Sequence, residues 1–362
     1  MNEICPEITV DLLAIKENYR TICRLLGDGR SAVSAVVKND AYGLGAQRVS
    51  RTLYEAGCRD FWVAYAREAV DIRRVLPFDA NIYYLQGFCS TDVELLEVYR
   101  IVPVINSLAE FNAIKSKGIG FILHVDTGLT RLGLRQEDLD MILPDLSREN
   151  VLYVISHLAC GDGGRQDIQQ KRSFDETLTK VRSVTDAKGS LVASNIVNLG
   201  RDFLYDLVRV GAFLYGIRNG NLEPRTVLCM KTKVLQTYSI PSGTNVGYGA
   251  THVTDRETEV AIISVGYADG IKRHLSSNGC VLFYDSTSGP YKARILGRIS
   301  MDLTACDITD VPNGVVVEGA DAILLDDAYT INEMSEDAQT ISYEILTSIN
   351  FKSKRFKLTY TE

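Results

Sequence analysis

Several short stretches of this chain set reactive side chains at the ends of apolar runs. Ala35-Val-Val-Lys38-Asn-Asp-Ala-Tyr42-Gly-Leu-Gly45 places an amine, a phenol and two glycines within eight positions. His124-Val-Asp126-Thr-Gly-Leu-Thr-Arg131, Ser156-His157, Asn195-Ile-Val-Asn198 and Val208-Arg209-Val-Gly211 have the same form. Burying an ammonium costs several kcal/mol unless it is paired or neutralised. A lysine that forms an imine with an aldehyde escapes that cost. Glycines close behind it let the backbone approach a phosphate. Plain alternatives exist for each group: a lysine that snorkels to solvent, a surface arginine, a satisfied core histidine.

These groups need elements to bring them together. Strand-like runs fall at 32–37, 60–64, 81–85, 102–105, 120–125, 151–156, 194–197 and 207–210, and several are nearly continuous in apolar residues, as strands covered on both faces are. Segments of helical period lie between them, at 44–56, 67–75, 93–99 and 108–115, the last with a Ser107/Glu110 capping box. Eight βα units predict an α/β fold, an N-terminal (β/α)8 TIM-like barrel, whose chemistry collects at the C-terminal ends of the strands. A doubly wound open sheet is the alternative, but no G-x-G-x-x-G turn follows the first strand.

From about residue 229 the rhythm changes. Strand-like runs at 231–237, 259–265, 279–284, 291–296, 303–307 and 322–325 are separated by clusters such as Pro241-Ser-Gly and Ser288-Gly-Pro, and a helix over 341–349 follows. The reading is a barrel domain over 1–228 and a C-terminal β-rich domain over 229–362.

With 362 residues, 46% hydrophobic and 23% charged, the chain can bury a core without metal or disulfide support. A net charge of -7 gives no basic face for nucleic acid, and Lys352-Ser-Lys354-Arg355-Phe-Lys357 reads as decoration of the last element. The eight cysteines form no CxxC pair and read as reduced thiols, and no metal site is expected. No signal peptide or run of roughly 20 apolar residues is present, so a soluble cytoplasmic protein is expected.

Six motifs resemble, in order, those of the alanine racemase family of pyridoxal-phosphate enzymes. They are Ala35-Val-Val-Lys38-Asn-Asp-Ala-Tyr42-Gly, Asp126-Thr-Gly-Leu-Thr-Arg131-Leu-Gly, Val208-Arg209-Val-Gly211-Ala-Phe-Leu-Tyr-Gly216, Gly266-Tyr267-Ala-Asp-Gly270, Gly297-Arg-Ile-Ser-Met301-Asp302 and Ile341-Ser-Tyr343-Glu344. The resemblance implies an isomerase that interconverts L- and D-alanine with two bases. Lys38 would hold pyridoxal phosphate as a covalent aldimine and act as one base. Tyr267 of the partner subunit in a homodimer would be the other, and a phenol needs nearby positive charge to serve as a base at neutral pH. Arg209 would face the pyridine nitrogen with His157 behind it. Tyr42, Asn198, Tyr343 and the amides of Gly211 and Ala212 would complete cofactor binding. Arg131 and Met301 would contact the substrate carboxylate, and the D-amino acid would supply peptidoglycan precursors.

The chain departs from the pattern at several positions. His124 stands where family members commonly carry a carbamylated lysine, and an imidazole brings no negative charge; a chloride beside Arg131 is expected to fill the gap. Leu199 replaces the serine after the family's asparagine, and Leu44 replaces a histidine. These changes leave three other readings beside an alanine racemase. One is a serine racemase of the vancomycin-resistance type, for which this chain would be the cytoplasmic domain of a longer membrane protein. The others are a pyridoxal-phosphate-dependent decarboxylase and a non-catalytic cofactor-binding protein. Tyr343 is bulky where a smaller residue would give serine room, which favours alanine.

Overall fold

The computed structural model describes residues 5–27, 29, 31–285, 289–349 and 356–362. The chain divides into two units: Ile15–Leu214 with Arg218–Pro224, and Met1–Ala14 with Tyr215–Ile217 and Arg225–Glu362. Lys352, Lys354, Arg355 and Ser288 lie outside the described residues.

The chain's first strand, β1 (Glu7–Asp11), belongs to the second unit. Eight parallel strands then form the first: β2 (Ala32–Val36), β3 (Asp60–Val63), β4 (Asn81–Tyr84), β5 (Ile101–Ile105), β6 (Phe121–His124), β7 (Val151–Ile155), β8 (Lys188–Ser190) and β9 (Leu207–Val210). Each pairs with the next from β2 to β8, and β9 pairs with β2, Ala32 opposite Leu207 and Ala35 opposite Val210. Between β8 and β9 the ring is joined by Asp206 N–H to Gly189 O (3.0 Å) and Arg209 N–H to Val192 O (3.1 Å). The result is a near-closed (β/α)8 barrel.

Its interior is filled by Trp62, Tyr83, Val104, Ile122, Ile155 and Leu207. The buried polar atoms in this layer are satisfied: Trp62 Nε1–H donates to Ser34 Oγ (2.8 Å), Ser34 donates to Val208 O (2.8 Å), and Tyr83 Oη donates to Asp60 Oδ1 (2.6 Å). Trp62 and Tyr83 rings lie 4.4 Å apart. The barrel is thus a packed core, open to chemistry only at its rim.

Seven of the eight expected strands lie where the apolar runs place them. The seventh does not: the strand is Lys188–Ser190, while 194–197 runs from a loop into the short turn Ile196–Leu199. Three residues of low β-propensity form a strand there because β7 and β9 on either side hold them in place, with Tyr153 opposite Lys188 and Ile155 opposite Ser190.

The second unit is built around β10 (Leu228–Ile240), β13 (Thr258–Ile263), β14 (Cys280–Phe283), β15 (Tyr291–Leu296), β16 (Thr304–Asp307) and β17 (Asp321–Leu325); a small ribbon, β11 (Asn245–Val246) with β12 (His252–Val253), stands apart from them. The order β13-β16-β15-β14-β17-β10 closes on itself through β10 against β13, a ring of antiparallel strands. β10 reaches this many partners because its register shifts between Met230 and Lys231 and again between Val234 and Gln236. β1 and the last strand, β18 (Lys357–Thr361), extend the sheet beyond β10. The expected 341–349 helix is Ser342–Ser348. Among the described residues no helix is long and apolar enough to cross a membrane.

Candidate active site

Lys38 follows β2 directly, and the backbone after it is unusual. Asn39 (φ 53°), Asp40 (φ 56°), Ala41 (φ 54°) and Tyr42 (φ 58°) are all left-handed, a full turn of the wrong hand for L-residues. Each such residue costs about 1–2 kcal/mol, so neighbouring contacts must hold the turn. Glu68 Oε1 accepts from Asn39 N–H (2.7 Å), Asp40 Oδ1 from Ala46 N–H (2.8 Å), and Gly43 N–H donates to Asn39 O (2.8 Å). The turn buries Tyr42 against Gly211. A Cβ on that glycine would lie 2.6 Å from Tyr42 Oη and 3.2 Å from Val36 Cβ, so only glycine leaves room.

Arg209, on β9, is buried (6% exposed) without a carboxylate partner among the described residues. Nη1 donates to Ser190 O (2.8 Å) and Ser190 Oγ (2.6 Å), and Nη2 to Ser156 O (2.5 Å) and Leu191 O (3.2 Å). These contacts use the hydrogens of both terminal nitrogens and leave Nε–H without a partner among the described residues. The guanidinium carbon also lies 5.8 Å from the Trp62 ring centre. Burial, then Arg131, lower the proton affinity of Arg209 to a pKa of about 10, so it stays charged at neutral pH.

Two imidazoles join it. His124, at the end of β6, pairs through Nδ1 with Asn106 Oδ1 (2.8 Å). Asn106 in turn donates to Leu85 O and Val104 O (3.2 and 3.1 Å), which orients its amide so that His124 Nδ1 is the donor. Burial, reinforced by Arg209 and Arg131, drives His124 down to a pKa of about 4 and His157 to about 3, so both are neutral at pH 7. Gln170, fully buried, fixes the His157 backbone: its amide donates to His157 O (3.1 Å) and accepts from Ala159 N–H (2.8 Å). Burial also lowers the pKa of Lys38, with Arg131 and Arg209 adding to the effect and Glu68 opposing it.

Arg131 is exposed on a loop that closes on itself through Asp126 N–H to Leu134 O (2.9 Å) and Leu134 N–H to His124 O (2.7 Å). Asp126 Oδ1 accepts from the amides of Gly128 and Thr130, both at 3.0 Å. The first unit therefore gathers Lys38, Tyr42, Arg131, His157, Arg209, Gly211 and Ala212 at the rim of its barrel. The cluster is strongly positive, with one guanidinium donor unspent and the Tyr42 hydroxyl held against Gly211. It suits an anionic ligand that carries an additional hydrogen-bond acceptor.

Asn198 does not join the group. It is exposed in the Ile196–Leu199 turn, and its amide lies against Gly220. The polar group at that strand end is Ser194, which is buried and whose Oγ accepts from Gly211 N–H (3.1 Å). The misplaced seventh strand hid it: a strand ending at Ser190 brings the next few residues to the rim. Glu68, Asn106 and Gln170 were likewise invisible as single residues, because each acts through backbone groups far away in sequence.

In the second unit Tyr267 and Met301 are held together. Tyr267 N–H donates to Ser300 O and Ala268 N–H to Met301 O, both at 3.0 Å. Gly266 permits the approach, since a Cβ there would lie 2.4 Å from Met301 O. Gly270 (φ 90°) packs against Ser348 in the same way, and Ser348 Oγ donates to Gly270 O (3.0 Å), which seats the helix that carries Tyr343. Tyr267 and Met301 are 42% and 53% exposed, and with Tyr248, Arg273 and Ile299 they line an open recess. Among the described residues no group of three His, Cys, Asp or Glu could hold a metal.

Residues 10–219 match the model of the alanine racemase N-terminal domain, and residues 227–357 that of its C-terminal domain. A catabolic alanine racemase of Rhizobium johnstonii is 38% identical over 363 residues, 96% of this chain and 93% of that protein. An alanine racemase of Brucella canis is 36% identical over 375 residues, 96% and 92% of the two chains. The crystal structure of an alanine racemase from Bartonella henselae with covalently bound pyridoxal phosphate superposes with a TM-score of 0.90 at 34% identity, covering 99% of this chain and all of that one. The biosynthetic enzyme of Pseudomonas aeruginosa superposes with a TM-score of 0.88 at 27% identity over 99% of this chain and 100% of the other. With both halves matched in order, the chain belongs to the alanine racemase family.

Proposed function

We propose that this protein interconverts L- and D-alanine with pyridoxal phosphate as cofactor. The observation that carries the reading is the cluster of Lys38, Arg131 and Arg209, cations with no ion-pair partner among the described residues, beside a Tyr42 hydroxyl seated against Gly211. A phosphorylated pyridine aldehyde fits it: the phosphate suits the Tyr42, Ser194 and Gly211–Ala212 corner, and the unspent Nε–H of Arg209 suits the ring nitrogen. When bound, the cofactor withdraws electrons from the α-carbon of the amino acid and so acidifies its α-proton.

The chain's own groups do the rest. Lys38 Nζ holds the cofactor and moves the α-proton on one face; its lowered proton affinity suits a base near neutral pH. Tyr267 Oη of the partner subunit moves the proton on the opposite face, which inverts the centre. Arg209, a guanidinium charged at neutral pH, would face the ring nitrogen and keep it unprotonated, which would suppress side reactions. Arg131, with Met301 of the partner subunit, orients the substrate carboxylate. His124 is neutral and supplies no counter-charge for Arg131, so a small anion such as chloride completes that corner. Tyr343 is bulky where a smaller residue would give serine room, which favours alanine as the substrate.

Racemisation of L-alanine and L-serine, measured side by side with added pyridoxal phosphate, tests the reading. Faster turnover of alanine is expected; faster turnover of serine would move the chain to the serine-specific branch, and turnover of neither would sink the proposal. Mixing the inactive variants K38A and Y267F should restore activity if the site is shared between subunits of a homodimer. A rate indifferent to halide would remove the chloride.

A further inference from the structure

Glu68 makes contacts that its own helix does not explain. It sits at the third position of the helix Ala66–Arg73, where a glutamate commonly reaches back to the N-cap amide, and Oε2 does so, accepting from Tyr65 N–H (3.1 Å) and Ala64 N–H (2.8 Å). Its other oxygen leaves that βα unit. Oε1 accepts from the N–H of Asn39 (2.7 Å), the first left-handed residue after Lys38. One carboxylate thus bridges the ends of two neighbouring barrel strands and grips the turn that aims the lysine. Asn39 and Asp40 tolerate that hand better than most residues, but Ala41 and Tyr42 do not, so the sequence of the turn does not by itself hold it.

We propose that Glu68 is the positioning residue for Lys38: its carboxylate holds the lysine turn in its left-handed form and is the anion that keeps the ammonium available in a site otherwise crowded with cations. The charged and titratable groups that face Lys38 are Glu68 on one side and Arg131, Arg209 and His157 on the other. The inference rests on the proposed function only in making Lys38 the reacting amine; the latch itself is a matter of backbone conformation.

Hydrogen exchange read by mass spectrometry on the cofactor-free protein tests it. In E68Q the amide side chain has one acceptor oxygen for the two sets of donors that the carboxylate serves. Exchange across Asn39–Tyr42 is expected to accelerate at least about tenfold, since an amide that loses its acceptor loses its protection. Acylation of Lys38 by a small lysine-directed reagent should acquire a midpoint at lower pH, because the opposing anion is gone. E68D, with the charge kept on a shorter arm, should restore the midpoint but not the protection. If Glu68 were only a helix cap, exchange would rise in the first turn of Ala66–Arg73 alone, and Asn39–Tyr42 and the Lys38 midpoint would be unmoved. That outcome overturns the proposal whether or not the protein proves to racemise alanine.

Discussion

The barrel rim and the edge of the β unit both gather charge, and they do it in opposite ways. At the rim Lys38, Arg131 and Arg209 stand together with no ion-pair partner among the described residues, Glu68 alone opposing them at Lys38, and two histidines beside them are held neutral. Across the strands that run to that edge, β17, β10, β1 and β18, Lys231 lies 3.1 Å from Asp321 and 3.6 Å from Glu7, Lys233 Nζ 2.6 Å from Asp321, and Lys357 Nζ 3.1 Å from Glu7. Every charge there is answered within its own half-exposed patch. Charges that fold without partners raise the free energy of the folded state and persist only where a ligand uses them. Position in a fold tells function less clearly than this imbalance does.

The contrast breaks most decisively at Lys38. Lys38→Met should lower racemisation at least about a thousandfold, since it removes a base and the cofactor's attachment point. The same change should raise the stability of the cofactor-free protein by about 1 kcal/mol, because it takes a desolvated cation out of a cationic cluster. Urea unfolding and a racemisation assay on one preparation decide it. A variant that loses both activity and stability would mean that Lys38 is a packing residue.

Arg209 should behave differently, since its hydrogen bonds tie β9 to the segments around Ser156, Ser190 and Leu191. Arg209→Ala leaves those buried acceptors without donors and should cost about 3 kcal/mol in urea unfolding. Arg209→Lys keeps the charge but not the fork and should recover only part of that loss.

The two histidines sharpen the comparison through pH. Unfolded histidines take up protons below about pH 6.5, whereas His124 and His157 resist until about 4 and 3. The unfolded state therefore binds more protons through that window, and stability falls as the pH drops from 6.5 toward 4; above 6.5 these two groups give no slope. A loss of roughly 3 kcal/mol between pH 6.5 and 5 is expected, and His124→Asn should remove about half of it. An unchanged slope in that variant would mean that His124 is already charged in the folded protein.

How much of this was legible depends on the range over which each signal acts. Lys38, Arg131, His157 and Arg209 could be placed from the sequence because a barrel strand delivers its last residues to the rim whatever surrounds it. The strand Lys188–Ser190 could not, since Lys-Gly-Ser has no β signal of its own and is extended only because β7 and β9 flank it. Ser194 is silent for the same reason, since its place at the rim follows from a strand that ends at Ser190, whereas Asn198 lies exposed in the turn beyond it. β1 was missed for a related reason: Ile8 and Val10 alternate, but their partners lie in β10 and β18, more than 200 residues away. The left-handed turn leaves no trace in composition, because Asn, Asp, Ala and Tyr in succession read as an ordinary helix start.

The smallest effect lies at the sheet edge. Lys231 is flanked by other lysines that keep its partners paired, Lys233 on Asp321 and Lys357 on Glu7, and all these side chains are a third or more exposed. Lys231→Ala should therefore cost only about 0.5 kcal/mol in urea unfolding at low salt. At about 1 M salt the screening length falls to about 3 Å, and even that difference should fade. A loss near that of Arg209→Ala would mean that the edge network is as indispensable as the rim cluster, and the imbalance of charge would then no longer separate a working site from a structural one.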